Sequence, residues 1–223
     1  MFKTEPHAHV AEISSCSRIN AKEMVELYKN AGYDTLFISD HLKERVFEKF
    51  GDISWEEKVD KFFLGYDIAK KRGDEIGLTV LISAELQLNE NSNHYLLYGD
   101  IKDFIKNNKD MFSLPIKDFY ALAKRNNVKI FHAHPYRDGK LQPAPATFVD
   151  AVEVYNTNPR HLDYSEKTEE YAKKYSLPIT AGSDTHRLED VARSGVLTEK
   201  KIESVKDYVD AVLSGKINII YGE

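Results

Sequence analysis

Two histidines separated by one residue, His7-Ala8-His9, stand near the start of a 223-residue chain that holds eight histidines in all. In an extended backbone residues i and i+2 face the same side, so this pair aims two imidazoles at one place and can grip one ion. Four further segments carry related chemistry: Ser39-Asp40-His41, Ser83-Ala84-Glu85, Phe131-His132-Ala133-His134-Pro135 and Gly182-Ser183-Asp184-Thr185-His186. Each closes a short apolar run, and the carboxyl ends of parallel strands converge on the face where active sites form. Imidazole and carboxylate together, without thiolate, suit Zn²⁺, Mn²⁺ or Fe²⁺ better than Ca²⁺ or Mg²⁺. Two such ions about 3.5–4 Å apart are the usual arrangement for in-line attack on phosphorus. Acids and imidazoles at several strand ends are costly to desolvate unless something engages them, which favours a shared metal site over unrelated core residues. Three histidines stand apart. His132 reads as a supporting or structural residue, and His161, in Asn158-Pro159-Arg160-His161, as a surface-loop residue. His94 opens its apolar run instead of closing it, so the residue pattern alone does not place it on that face.

The elements that must position these groups alternate in kind. Asn20 and Glu23 form a capping pair, Met24, Leu27, Tyr28 and Ala31 follow with helical spacing, and Gly32 is the stop. Thr35 to Ile38 reads as a buried strand, 54–72 as one long helix, and 78–82 and 94–98 as strands. Pro115 opens a helix through Lys124. Strands are expected over 128–131, 151–154, 178–181 and 217–220, with helices over 163–175 and 203–213. This repeated β-then-α order predicts one parallel α/β domain spanning 1–223. A barrel and an open sheet both fit. No Gly-x-Gly-x-x-Gly and no Walker-type loop follows the first strand, which lowers the odds of a nucleotide-binding open sheet.

Charge and composition narrow the partners. With 31 Lys+Arg against 36 Asp+Glu the net charge is −5, which argues against sequence-independent nucleic-acid binding. No apolar run approaches the 18 residues of a membrane span, and no membrane partner is expected. A single Cys rules out an internal disulfide framework, fits a reducing compartment and leads to the expectation of a cytoplasmic protein.

The motifs also resemble, in order, those of the PHP (polymerase and histidinol phosphatase) superfamily. The segments carrying the resemblance are His7-Ala8-His9, Ser39-Asp40-His41, Ala84-Glu85, Asn93-His94-Tyr95-Leu96-Leu97, Ala133-His134-Pro135-Tyr136-Arg137, Val152-Glu153-Val154-Tyr155-Asn156 and Ala181-Gly182-Ser183-Asp184-Thr185-His186. The resemblance implies a distorted (β/α)7 barrel of PHP type, with two or three divalent ions (Zn, Mn or Fe) at the carboxyl ends of its strands. By matching position His7, His9, Glu85 and Asp184 hold one ion, Glu85 bridges to a second held by His94 and His134, and His41 and His186 hold a third. The resemblance thus gives His94 a role that the residue pattern left open. Many members place another third-site ligand, His or Asp, shortly after the His-x-His pair. Here that stretch reads Val10-Ala11-Glu12-Ile13-Ser14-Ser15-Cys16-Ser17, so Glu12 is the expected substitute and Cys16 the alternative, against the plainer reading of Cys16 as a small buried thiol.

The expected activity is that of a phosphatase, a metal-dependent phosphoesterase hydrolysing a small phosphorylated metabolite through a metal-bound hydroxide. Arg137 is the expected catalytic phosphate-orienting residue, with Arg187 and Arg193 as weaker substitutes. Asp40 or His186, or else water, is the expected leaving-group acid. Segments 43–54 and 138–145 are expected at the pocket rim, with Phe47, Trp55 and Tyr136 as candidate walls. Three rivals remain: histidinol-phosphate phosphatase, a non-catalytic metal-binding regulatory module, and a hydrolase of C–N bonds, for which only Lys129 offers a lysine near a strand end.

Overall fold

The computed structural model describes residues 1–222. Its first strand, β1 (Phe2–Ala8), is buried from Thr4 onward and leads straight into His9. Helix α1 (Ala21–Asn30) follows, with Asn20 Oδ1 accepting the Glu23 N–H at 3.0 Å and Met24, Val25 and Tyr28 turned inward. Next come β2 (Thr35–Ile38), β3 (His41–Leu42), α2 (Glu44–Glu48), α3 (Trp55–Phe62) and α4 (Leu64–Ile76). The long helix expected over 54–72 is therefore two, hinged at Phe63. Phe62 and Phe63 are adjacent yet both buried, their rings edge to face at 4.9 Å, and the break turns both into one core. Helix α4 runs on to Gly77, whose φ of +74° supplies the left-handed stop.

The chain continues through β4 (Thr79–Ile82), β5 (Ala84–Leu86), β6 (His94–Tyr98), α5 (Ile101–Asn107), α6 (Ile116–Arg125), β7 (Lys129–Ala133) and β8 (Ala151–Asn156). It ends with α7 (Ser165–Tyr175), β9 (Ile179–Gly182), β10 (Gly195–Thr198), α8 (Val205–Leu213) and β11 (Asn218–Ile220). One sheet has the order β11-β10-β1-β2-β4 and the other β3-β5-β6-β7-β8-β9. Short interruptions at Ser39-Asp40 and at Ser83 pass the chain from the first sheet to the second, so β2/β3 and β4/β5 each act as one bent stave. His9 N–H donates to Thr185 O at 3.0 Å and Thr185 N–H to His7 O at 3.2 Å, linking β1 to the segment after β9. The staves β1, β2/β3, β4/β5, β6, β7, β8 and β9 are thereby joined in a ring of seven.

The ring departs from the all-parallel expectation at one stave. Strand β6 pairs antiparallel with both β5 and β7, and no helix separates it from β5. Its first residue therefore lies at the end of the ring where the neighbouring strands finish, and that reversal puts His94 on the same face as the other histidines. Strand β10, not anticipated from sequence, and β11 extend the first sheet antiparallel beside β1.

At the other end of β6 the ring is filled by aromatic side chains. Phe37, Tyr98, Phe131 and Tyr208 of α8 are fully buried, with ring centroids 4.8–6.1 Å apart, and the Tyr208 hydroxyl is 2.6 Å from Thr180 Oγ1. Removing Phe37 leaves a cavity in close-packed surroundings. We expect Phe37→Ala to lower stability by about 3–5 kcal/mol in urea unfolding with little change in m.

Candidate metal centre

Glu85 lies on β5 just past the Ser83 bend, and its carboxylate is fully buried at the centre of the histidine face. Oε1 is 2.9 Å from His94 Nδ1, 2.9 Å from His134 Nε2 and 3.5 Å from His7 Nε2. Oε2 is 2.5 Å from His41 Nδ1 and 3.7 Å from His9 Nε2. Asp184, after β9, adds a second buried carboxylate, with Oδ1 3.2 Å from His9 Nε2 and 3.5 Å from His7 Nε2. Four donor sets each converge within 4.8 Å: His7/His9/Glu85, His7/His134/Asp184, Glu85/His94/His134 and His9/His41/His186. The structure thus brings together His7, His9, His41, Glu85, His94, His134, Asp184 and His186.

The second nitrogen of several rings shows which lone pair is left free. His7 Nδ1 donates to Glu153 Oε1 at 2.9 Å, and His186 Nδ1 donates to the Asp184 carbonyl at 2.9 Å. In the neutral ring each of these bonds leaves the Nε2 lone pair facing the cluster. His7 Nε2, His9 Nε2, His134 Nδ1 and Asp184 Oδ1 are buried yet make no hydrogen bond. Such orphaned donors are costly among protein atoms alone and fit divalent ions coordinated between them.

Two of the seven non-glycine residues with positive φ lie here, His134 at +30° and Asp184 at +50°. The bent backbone at His134 is held by its N–H donating to Glu153 Oε2 at 3.1 Å. Glu153 also accepts from Asn156 Nδ2 at 2.9 Å, so one buried carboxylate orients two candidate ligands. Gly182 is required here by close approach: a Cβ would stand 2.7 Å from His7 Cβ and 2.8 Å from Glu153 Oε1. Beneath them Glu5 accepts from the N–H groups of His7 and Ser183 and from the Tyr28 hydroxyl, and burial pushes its carboxyl up to about 7. Glu5 and Glu153 escaped the residue-level reading because an acid inside a strand gives no sign of facing a histidine.

Charge in the cluster follows from burial and neighbours. Burial acts to raise Glu85, but the charges of His94 and His41 overturn it and hold the carboxyl well below its usual range. Burial acts to lower His41, but Glu85 and the nearby Cys16 raise it to about 9. Burial, reinforced by His186 and His41, holds His9 well below its usual value. Burial alone would raise the Cys16 thiol, yet hydrogen bonds with His186 and His41 draw it down to about 6.

Several expected residues lie elsewhere. Glu12, the expected third-site ligand, caps α1 instead: both carboxylate oxygens are 3.0 Å from the Ala21 nitrogen and accept its N–H. Cys16 is the residue beside the third set, with Sγ 3.2 Å from His41 Nε2. Asp40, expected as a leaving-group acid, accepts from Val10 N–H at 2.9 Å and from the Ser14 hydroxyl at 2.7 Å, and it does not line the cavity above the cluster. It is a positioning residue, because Ser14 Oγ is also 3.4 Å from His9 Nδ1. Phe47 and the partly buried Trp55 pack with tilted rings 4.6 Å apart, Tyr136 packs towards Tyr171, and none of the three lines the cavity. Lys129 pairs with Asp150 and Arg193 is absent from the cavity lining, whereas His161, paired with Asp138, is exposed on that lining. His132 is neutral and fully buried, accepting the Ala144 N–H through Nε2 at 3.1 Å.

The cavity over the cluster measures about 710 Å³. Six cationic side chains line it, Lys43, Arg45, Arg137, Lys140, Arg160 and Arg187, against the single acid Asp138. Arg137 donates to Asp184 Oδ2 and to Asn156 Oδ1, the latter at 3.1 Å, and Arg160 is held bidentately by Asp190 at 2.6 and 2.8 Å. A larger groove of about 950 Å³ beside β10 and α8 contains no histidine or cysteine.

Residues 164–217 match a family model described as PHP-associated. A protein of Methanocaldococcus jannaschii with no assigned activity is 26% identical over 209 residues, covering 92% of this chain and 75% of that one. A two-domain protein of Bacteroides vulgatus, containing a predicted PHP-like metal-dependent phosphoesterase, superposes with a TM-score of 0.74 at 14% identity. The match covers 99% of this chain but 65% of that one, so this chain spans just under two thirds of its length. A lesion-specific endonuclease of Pyrococcus furiosus superposes with a TM-score of 0.66 at 12% identity, over 98% of this chain and 57% of the other. At these identities the two structures establish a common fold.

Two outcomes are expected from the centre's wiring. Glu153→Gln removes the charge that fixes the His7 tautomer and should weaken divalent-ion affinity about 10–100-fold, whereas Glu12→Ala should lower stability by about 1 kcal/mol and leave metal stoichiometry unchanged. Calorimetric titration and urea unfolding check the pair. The second outcome concerns pH. In chelator-treated protein the raised His41 contributes stability that is complete below its unfolded value near 6.5 and lost as pH rises through about 9. Ion binding requires the same ring unprotonated, so zinc affinity should rise over that window with protons released on binding, measured by calorimetry in buffers of different ionisation enthalpy.

Proposed function

We propose that this chain belongs to the PHP superfamily, a reading that the PHP-associated segment and the PHP-like neighbours support, and that it is a metal-dependent phosphoesterase acting on a small phosphorylated metabolite. The observation that carries the reading is the set of buried, hydrogen-bond-free donors around Glu85 and Asp184 at the floor of a cation-lined cavity. His7, His9 and Glu85, with Asp184 Oδ1 3.5 and 3.2 Å from the two rings, are suited to one ion, Glu85, His94 and His134 to a second, and His41 and His186 to a third. Divalent ions in such a site neutralise phosphate charge and favour in-line hydrolysis.

The chain's own residues supply the rest. Glu85 fixes the spacing of the first two donor sets by contributing to both. Arg137, anchored on Asp184 and Asn156 at the cavity wall, offers a planar guanidinium that can orient a phosphate oxygen. Lys43, Arg45, Lys140 and Arg187 gather negative charge at the rim although the whole chain is acidic. A cavity of about 710 Å³ fits a metabolite-sized ligand, which favours a small phosphate ester over a polymer. With Asp40 committed to Val10 and Ser14, and His186 Nε2 3.4 Å from His41 Nε2, solvent is the proposed source of the leaving-group proton.

A substrate panel tests the reading. p-Nitrophenyl phosphate should be hydrolysed with Mn²⁺ or Zn²⁺, activity should vanish on chelation and return with the ion, and Glu85→Gln should cost about 100-fold or more in kcat/KM. Histidinol phosphate, a phosphodiester and single-stranded DNA in the same panel separate the monoester reading from its rivals. Preferred turnover of the DNA would replace the small-molecule assignment, and metal uptake without turnover of any ester would leave a binding module.

A further inference from the structure

The third donor set stands beside one more group, the thiol of Cys16. We propose that its thiolate joins His41 and His186 there as a donor, making a two-nitrogen, one-sulfur site selective for zinc, an assignment that rests on the metal-dependent reading of the same cluster. Cys16 Sγ is 3.2 Å from His41 Nε2, and His41 Nε2 is 3.4 Å from His186 Nε2. A tetrahedral ion with bonds of about 2.0–2.3 Å spaces its donors by about 3.3–3.8 Å, which these separations approach. His41 and His186 supply the independent sign of a ligand: two ring nitrogens from different strand ends face one another within the third donor set.

The loop presents the thiol on purpose-built anchors. The Ser17 hydroxyl donates to His9 O at 2.8 Å, Arg18 N–H donates to His186 O at 2.8 Å, and the Ser14 hydroxyl donates to Asp40 Oδ1 at 2.7 Å. Residues on both sides of Cys16 are therefore tied to the strand ends that carry the imidazoles. The other acid or thiol of this loop is unavailable, because Glu12 is spent on α1. A sulfur donor changes which ion the site takes. Thiolate favours zinc and other borderline-soft ions over manganese, while the carboxylate-rich sets around Glu85 discriminate less.

Cobalt reports this directly. Co²⁺ added to reduced, chelator-treated protein should give a near-ultraviolet sulfur-to-cobalt charge-transfer band. Cys16→Ser, at an exposed position, should lack the band and bind its last equivalent about 10–100-fold more weakly. Zn²⁺ should also protect Cys16 from alkylation by iodoacetamide. Cobalt bound with the same near-ultraviolet spectrum in both proteins overturns the thiolate assignment alone. A chain that takes up no cobalt by metal analysis overturns the metal reading as well.

Discussion

A fully buried carboxylate surrounded by imidazoles is the interaction on which the rest of this structure turns. Glu85 has five histidines, His7, His9, His41, His94 and His134, within 2.5–3.7 Å and no solvent exposure. Removing such a charge from water costs several kcal/mol unless opposite charge is brought to it, and a chain that kept it for packing alone would be less stable than one with an apolar residue there. The fold supplies that company by geometry. The Ser83 bend delivers Glu85 from one sheet to the other, the reversed β6 brings His94 from the opposite side, and the Thr185 hydrogen bonds close the ring beside His7 and His9.

The supports of the centre are as specific as its donors. Glu153 sets the His7 tautomer and the strained turn at His134, and Glu5 ties β1 to Ser183 before the Asp184 motif. Gly182 leaves the room that Glu153 and His7 occupy. The aromatic filling around Tyr208 closes the far end of the ring, so the chemistry is confined to one face.

Much of this was legible from sequence because strand-end position and residue type carry the information together. The His-x-His pair, Asp184 and His134 read correctly as groups of one face, since each closes an apolar run. His94 did not, because the direction of a strand is a tertiary property, and the absence of a helix before β6 was the signal available. Glu12 and Asp40 misled for a shared reason. A carboxylate can satisfy a helix start or a loop N–H as readily as an ion, and only coordinates show which it does. The helix break at Phe63 likewise reflects two adjacent rings competing for one core, which helical periodicity does not register.

The cation-lined cavity and the metal-type floor together support the proposed phosphate site over a structural ion site, and the floor is the part on which the account stands. Crystals grown with zinc and measured on both sides of the zinc absorption edge test it most directly. The account predicts anomalous peaks about 2.0–2.2 Å from His7 Nε2, His9 Nε2 and an oxygen of Glu85. A fully ordered Glu85 cluster without an anomalous peak, in crystals whose zinc is bound elsewhere on the chain, would contradict it.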